Sequence, residues 1–435
     1  MDPLDFLHAY DPDQRALNGD RSPSALSVEE GDRVGIVLFN LGGPKTLDDV
    51  ESFLYNMLMD PALLDLPVGG RVRHWLAKLG ARVRAETLRE HYEAIGGGSP
   101  LTRLTAEQAR SLERHLNERY GNPTGVDFHT YRAMRYWHPS SREAVRQMAA
   151  NEIDKVVLLP LYPQYSRATT GSSLSYWQTL EDEGTIPSWP TTTVPEYAAN
   201  PKYVQAVSER IDEALQRFPE GIREDAALVF SAHGPPFTGM GRRSDPYCCL
   251  VHSTVEQVMN YRDEDRPHHT AFQSLIGPSY WLTPSTANTV RSLAGRGHRA
   301  VLVVPISFVT DHVNTSYELD IELREDAHAH GIVRYEVTAG LNTHPLFIEA
   351  LGEAAVAQLE LPLDANQLRF EGDGLSQTYP LRSLDELPRH SLDPGTARCP
   401  SCGGRTGARR WTRSESSPDP NPSREHPAKH DDSAG

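Results

Sequence analysis

Arg299-Ala-Val-Leu-Val-Val-Pro-Ile-Ser-Phe-Val-Thr-Asp-His-Val-Asn-Thr-Ser-Tyr-Glu-Leu-Asp-Ile-Glu322 changes its periodicity midway. Arg299–Pro305 is apolar and rich in β-branched residues, the pattern of a strand buried on both faces. The run from Ser307 onward, taken as a helix, sets Asn314, Glu318 and Glu322 four residues apart on one face, with Asp311 and His312 at its entrance. A buried strand feeding a helix is the repeating unit of an α/β fold. Like charges at that spacing cost a helix roughly 0.2–0.5 kcal/mol per pair, so the stripe is either a solvated face or a site for a cation.

Working outward, apolar runs of the first kind recur at Val34–Phe39, Asp127–Tyr131, Lys155–Leu159, Ala227–Ser231, Ala271–Leu275 and Val333–Val337, with helical patterns between them. Such alternation predicts parallel sheets covered by helices on both faces. Thr46–Met59 carries Leu47, Val50, Leu54 and Leu58 on one stripe and ends at Asp60-Pro61. Another helix starts at Thr343, with Pro345 in its first turn and Phe347, Leu351 and Leu359 on one side. The strands fall into two groups about the stretch Trp189–Tyr203. The expected division is a mobile arm over 1–32, with order beginning at Val34, one domain over 33–195 and a second over 196–342. A helix at 343–362 packs back on the first domain. An extension follows at 363–402, and the tail at 403–435 is too polar to bury a core.

The 435 residues are enough for two domains of ordinary size, each with a core. A net charge of -16 argues against nucleic acid and anionic lipid as partners and is compatible with a cationic ligand. A mean hydropathy of -0.51 points to polar segments outside the core. No apolar run approaches the roughly 20 residues that span a bilayer, and the start lacks a basic and a long apolar region, which places the protein in the cytoplasm. The spacing of Cys399 and Cys402 suits metal or redox chemistry.

His233 closes an apolar strand in Leu228-Val-Phe-Ser-Ala-His-Gly-Pro-Pro236. Ligands of doubly wound sheets bind outside the carboxyl ends of strands, which is where both His233 and His312 fall. Two such histidines beside an acidic stripe suit a site that holds a metal ion and accepts protons.

These residues, with Phe39-Asn-Leu-Gly-Gly-Pro44, His91-Tyr-Glu-Ala-Ile-Gly-Gly-Gly-Ser-Pro100, Met134-Arg-Tyr-Trp-His-Pro139, Tyr162-Pro-Gln-Tyr-Ser166, Ser244-Asp-Pro-Tyr247 and Gly277-Pro-Ser-Tyr-Trp-Leu282, resemble the ferrochelatases in unbroken order from about Val34 to Leu359. The resemblance implies two similar Rossmann-like domains, each a four-stranded parallel sheet flanked by helices, with a porphyrin cleft between them. It implies insertion of ferrous iron into protoporphyrin IX, with iron as substrate and no organic cofactor. By motif, His233 is the catalytic histidine that takes pyrrole protons or ligates the metal, and a neutral imidazole is a competent acceptor near pH 7. Glu318 and Glu322 resemble the family's relay for metal and protons, with Asp311 a further metal-ligand candidate and His312 and Asn314 further catalytic candidates. Trp281 and Phe308 are either pocket walls or ordinary core, and Leu41 joins them. Arg84, Tyr92, Ser99, Arg135 and Tyr165 match positions at the pocket mouth that contact porphyrin carboxylates. Gly96–Gly98 resembles a phosphate cradle but lacks the Lys-Ser/Thr continuation, so a tight bend ahead of a helix is expected.

Two features depart from the family. Asn314 stands where a glutamate is usual and cannot titrate near neutrality. Cys399 and Cys402 resemble two of the three tail ligands of a [2Fe–2S] cluster, but the third is missing and Val204 occupies the internal position, so a zinc half-site or a remnant without metal is favoured over the cluster. Rival readings are a coproporphyrin or cobalt chelatase of the same fold, and a non-catalytic tetrapyrrole carrier, which Asn314 suggests. The segment Leu54–Leu66 offers an apolar lip for peripheral membrane contact or else a buried helix end. Nothing in the chain signals an oligomeric state or a role for 363–398.

Overall fold

The computed structural model describes residues 25–64, 68–234, 245–273, 280–362 and 408–410. After a short β1 (Leu26–Ser27), the first sheet contains β2 (Arg33–Asn40), β3 (Asp127–Met134), β4 (Lys155–Pro160) and β5 (Thr191–Thr193). They run parallel in the order β3-β2-β4-β5. The second sheet has β6 (Ala227–His233) and β7 (His268–Gln273). After the separate β8 (Tyr280–Leu282) it resumes with β9 (Ala300–Pro305) and β10 (Arg334–Val337). Its order is β10-β9-β6-β7, again all parallel. Numbered within their own sheets, both sets of strands lie in the order 2-1-3-4, so the two halves share one topology. In each, the order reverses between the first and third strands, β2 and β4 in one sheet, β6 and β9 in the other. That reversal leaves a crevice at the carboxyl ends.

The helices that flank the sheets are α1 (Val50–Met59), α2 (Gly70–Ala94), α3 (Leu101–Leu116), α4 (Ser141–Ala150), α5 (Ser172–Asp182), α6 (Pro201–Leu215), α7 (Tyr247–Tyr261), α8 (Thr286–Gly295), α9 (Leu323–Ala329) and α10 (Pro345–Val356). Their starts follow local chemistry. Ser140 and Glu143 close a capping box on α4, Asn200 caps α6 ahead of Pro201, and Pro345 occupies the first turn of α10. One continuous core joins the sheets. Val34, Ile36 and Leu38 of β2 meet Leu228 and Phe230 of β6 through Leu112 of α3, Val204 of α6, Val255 of α7 and Leu351 of α10. The outer faces have cores of their own, Val37, Phe39 and Leu158 under Trp177, and Val229 and Val303 under Val290 and Leu323. Among the described residues no helix is long and apolar enough to cross a membrane.

Several boundaries differ from expectation. Order begins before Val34, because β1 pairs in parallel with β11 (Leu359–Glu360) across the two ends of the fold. The strand expected at Ala271–Leu275 starts at His268. β5 has no apolar run, and its threonines are ordered by pairing with Val156, Val157 and Leu158. In the tail, β12 (Ala408–Arg410) pairs antiparallel with β8. The triple glycine does form a bend: Gly96 and Gly97 have positive φ, and a Cβ on Gly98 would lie 2.3 Å from the Lys45 carbonyl oxygen.

Arg135 is not at a pocket mouth. It is 2% exposed and packs its guanidinium 2.7 Å from the fully buried Asp60 carboxylate, while Nε donates to Ser172. Tyr136 and Ser172 hydroxyls donate to the same carboxylate oxygen, at 2.7 and 2.6 Å. Asp60 ends α1, so this cluster pins α1 to the strand end after β3. Removing one partner of a buried pair strands the other charge. Asp60→Ala and Arg135→Leu are each expected to cost about 3–5 kcal/mol of unfolding free energy in urea titrations, and the double variant well under their sum.

Candidate active site

β6 delivers His233 to the crevice. The strand is held on one side by β9 and on the other by β7, where His233 lies opposite Gln273. The next residue has to be glycine: Gly234 donates to the Gln273 carbonyl at 2.7 Å, and a Cβ there would lie 2.4 Å from the same oxygen. The Tyr247 hydroxyl, at the start of α7, sits 2.7 Å from both the His233 carbonyl and Ser307 Oγ, tying the ends of β6 and β9 together. Phe308, just past β9, meets the His233 ring edge-on at 5.4 Å and lies 3.9 Å from the His312 ring, centroid to centroid. The cleft beside them is lined by Tyr162, Gln164, Ser166, Tyr247 and Phe308 with His233. It therefore opens where the carboxyl ends of β4, β6 and β9 converge.

Burial holds the His233 ring down at about 4, and burial with the neighbouring His233 holds His312 at about 3, the Thr310 backbone only partly offsetting it. Both rings are neutral at pH 7. His312 is 2% exposed, and neither ring nitrogen has a well-formed hydrogen bond among the described residues.

Asn314–Glu322 is a π-helix, with its hydrogen bonds one residue longer than in the expected α-helix. Such wide turns collect at functional sites, and a spacing of four still keeps side chains on one side. Exposure rises along it: His312 is buried, Asn314 and Glu318 half-buried, Glu322 exposed. Gln273 connects this helix to His233. Its amide nitrogen donates to the Asn314 carbonyl and to Glu318 Oε2, both at 3.1 Å. Burial pushes the Glu318 carboxyl up to about 7; Glu322 pushes the same way, while the Asn314 amide, Gln273 and the Arg84 charge pull it down. The Tyr92 hydroxyl, raised by burial, lies by Glu318 and Ser99, and His91 stacks on Tyr317 at 4.0 Å beside Glu322.

The structure thus gathers His233, Phe308 and His312 at the strand ends. Asn314, Glu318, Arg84, Tyr92 and Ser99 lie further out, with Glu322 at the solvent end. Asp311 falls outside the group: its two oxygens accept from Gly340 N–H and the Asn342 amide, which fastens the loop after β10. Tyr165 is also turned away, packing with Ala198 and Leu250 while Tyr162, Gln164 and Ser166 face the cleft. Alternate residues of an extended segment point to opposite sides. Leu41 packs against Phe53, Tyr136 and Trp137. The Trp281 side chain, Cys399 and Cys402 lie outside the described residues. Among the described residues no three His, Cys, Asp or Glu side chains gather closely enough to hold a metal ion. Gln273, Tyr162, Gln164 and Tyr247 are site residues that candidate selection by charge and resemblance missed. The available signal for Gln273 was a polar residue closing an otherwise apolar strand.

Residues 33–359 match the family described as Ferrochelatase. A protein named Ferrochelatase from Gloeobacter violaceus is 40% identical over 329 residues, which is 75% of this chain and 98% of its own. One of the same name from Synechococcus elongatus is 40% identical over 335 residues, 76% of this chain and 84% of its own. A structure of the sirohydrochlorin chelatase SirB from Bacillus subtilis, in complex with cobalt, covers 78% of this chain and all of its own at 11% identity and a TM-score of 0.43, too distant to bear on the chemistry. Because the family match runs from the first residue of β2 to the first of β11, and so takes in both sheets and every strand end around the cleft, the chain belongs to the ferrochelatase family.

Proposed function

We propose that this chain inserts ferrous iron into protoporphyrin IX to give protohaem, both being substrates and no organic cofactor taking part, in the cytoplasm. The observation that carries the reading is the ordering of proton affinity from the cleft outward. A porphyrin loses two pyrrole protons as the metal enters, and those protons need a way out. His233, held at about 4, keeps a proton only briefly; Glu318, at about 7, takes it more strongly, and Gln273, beside His233 in the strand register, donates to Glu318. Glu322, exposed beyond it, delivers protons to water. The same oxygens suit a divalent cation moving inward. Phe308 offers a flat apolar wall to a macrocycle.

Anaerobic incubation with ferrous iron and protoporphyrin, followed by absorbance, is expected to give haem, with His233→Ala lowering turnover by roughly 10²–10⁴-fold. Faster insertion with coproporphyrin or with cobalt would reassign the substrate. No insertion at any pH, with porphyrin still bound, would make the chain a carrier.

Glu318 also sets a pH dependence. Its carboxyl is raised, so it is protonated below about 7 and can neither accept a proton nor bind iron there; activity is present above that pH and lost as pH falls through it. Gln273→Leu removes a hydrogen bond to the ionised form and is expected to move this acid limb upward in a pH–rate profile. Asn314→Glu replaces an amide donor with a second acid and is expected to move the limb the same way. A rise of orders of magnitude in its turnover would show that the usual glutamate, and not His233, is the essential base.

A further inference from the structure

Gln164 lies in the segment that follows β4, is 1% exposed and lines the cleft beside His233. Its amide nitrogen makes two hydrogen bonds, to Thr254 Oγ1 on α7 at 3.0 Å and to the Ile306 carbonyl just past β9 at 3.3 Å. Those bonds use both amide hydrogens and fix which way the group faces. Turned over, the amide would set its oxygen against the Ile306 carbonyl oxygen, two acceptors with no hydrogen between them. Neither Thr254 nor Ile306 lines the cleft, so the nitrogen end points toward the second sheet and the carbonyl is the polar end left on the cleft side.

That carbonyl oxygen, Oε1, is buried and has no hydrogen-bond partner among the described residues. A buried acceptor left unpaired is destabilising and uncommon. Neighbouring polar groups of the same wall are already engaged: the Tyr247 hydroxyl lies between the His233 carbonyl and Ser307 Oγ, and the Ser166 hydroxyl donates to Asp245. Gln164 Oε1 is thus an acceptor on the wall that takes its donor from what fills the cleft. Held from α7 and from the end of β9, it is fixed relative to His233.

We propose, taking the ligand to be a porphyrin as in the function proposed above, that Gln164 Oε1 accepts a hydrogen bond from a pyrrole N–H of the bound macrocycle and so makes the cleft prefer the metal-free porphyrin to the metallated one. A free-base porphyrin carries two pyrrole N–H groups. A metallated one carries none, because the metal takes their place on the nitrogens. The bond therefore exists before insertion and is lost after it. An amide carbonyl cannot take the proton near neutrality, so Gln164 holds the N–H while another group removes it. The consequence falls on binding: the substrate gains a contact that the product lacks, and product leaves the acceptor unpaired again.

Fluorescence titration of the full chain with protoporphyrin IX and with its zinc complex, without added metal, reads the ratio of the two affinities. Comparing that ratio between variants cancels any bond from His233 to zinc. Gln164→Met, similar in length but without the acceptor, is expected to weaken free-base binding roughly three- to tenfold and to leave zinc-porphyrin binding unchanged, so that the ratio falls by the same factor. Thr254→Val loosens the amide without altering the cleft wall and is expected to lower the ratio in the same direction by less. An unchanged ratio in Gln164→Met would overturn the proposal. So would equal losses for both ligands, which would make Gln164 a packing residue. Should Gln164→Met not fold, an unchanged ratio in Thr254→Val decides against the proposal. Failure of the unaltered chain to bind either porphyrin would instead overturn the porphyrin reading on which it rests.

Discussion

The parallel pairing of β6 with β7 and β9 fixes everything that happens at the cleft. A strand with neighbours on both sides cannot slide without losing two ladders of hydrogen bonds, so His233 is set in depth and direction by the backbone. Gly234 lets the chain leave without a clash, and Tyr247 locks that exit to the end of β9. Phe308 and His312 then follow from β9 at a fixed distance. Since β6 lies between strands whose connections leave in opposite directions, the space beyond its end stays open. A histidine in that place is buried by its neighbours yet faces a cavity, which is why its proton affinity is low.

Gln273 ties that fixed frame to the π-helix. It ends β7, directly across from His233, and its side chain reaches the π-helix. A carboxyl at the position of Glu318 is costly to ionise in the interior, and a single amide hydrogen bond offsets only part of the cost. The result is a group poised near neutrality, between an imidazole that protonates with difficulty and a carboxylate in water.

What could be read from the sequence follows from how local each feature is. The strand ends at His233 and Pro305 were legible because an apolar run stops at a residue that cannot continue it. The four-residue spacing of Asn314, Glu318 and Glu322 was legible because it is a property of the chain itself, although the wider π-turn was not: it depends on hydrogen bonds that spacing does not specify. β5 was hidden because Thr191–Thr193 becomes a strand only by pairing with β4. Arg135 and Asp311 were placed among the candidates by resemblance and by position in a motif, while the groups that hold them in the fold, Asp60 for one and the Gly340–Asn342 loop for the other, are distant in sequence. The side of the chain on which Tyr165 falls was a matter of one residue in an alternating segment.

Asn314 is best understood through Glu318. Two carboxyls four residues apart on a half-buried face share one low-dielectric region, and their protons leave in two coupled steps, the second harder than the first. An amide at the inner position removes that repulsion and adds a donor, which keeps Glu318 from being driven higher than about 7. The chain therefore gives up one acceptor to leave the remaining one ionisable at neutral pH. On the proposed reaction that exchange works only if another group receives the proton at the macrocycle, and the His233 imidazole on the cleft wall is the group proposed for it.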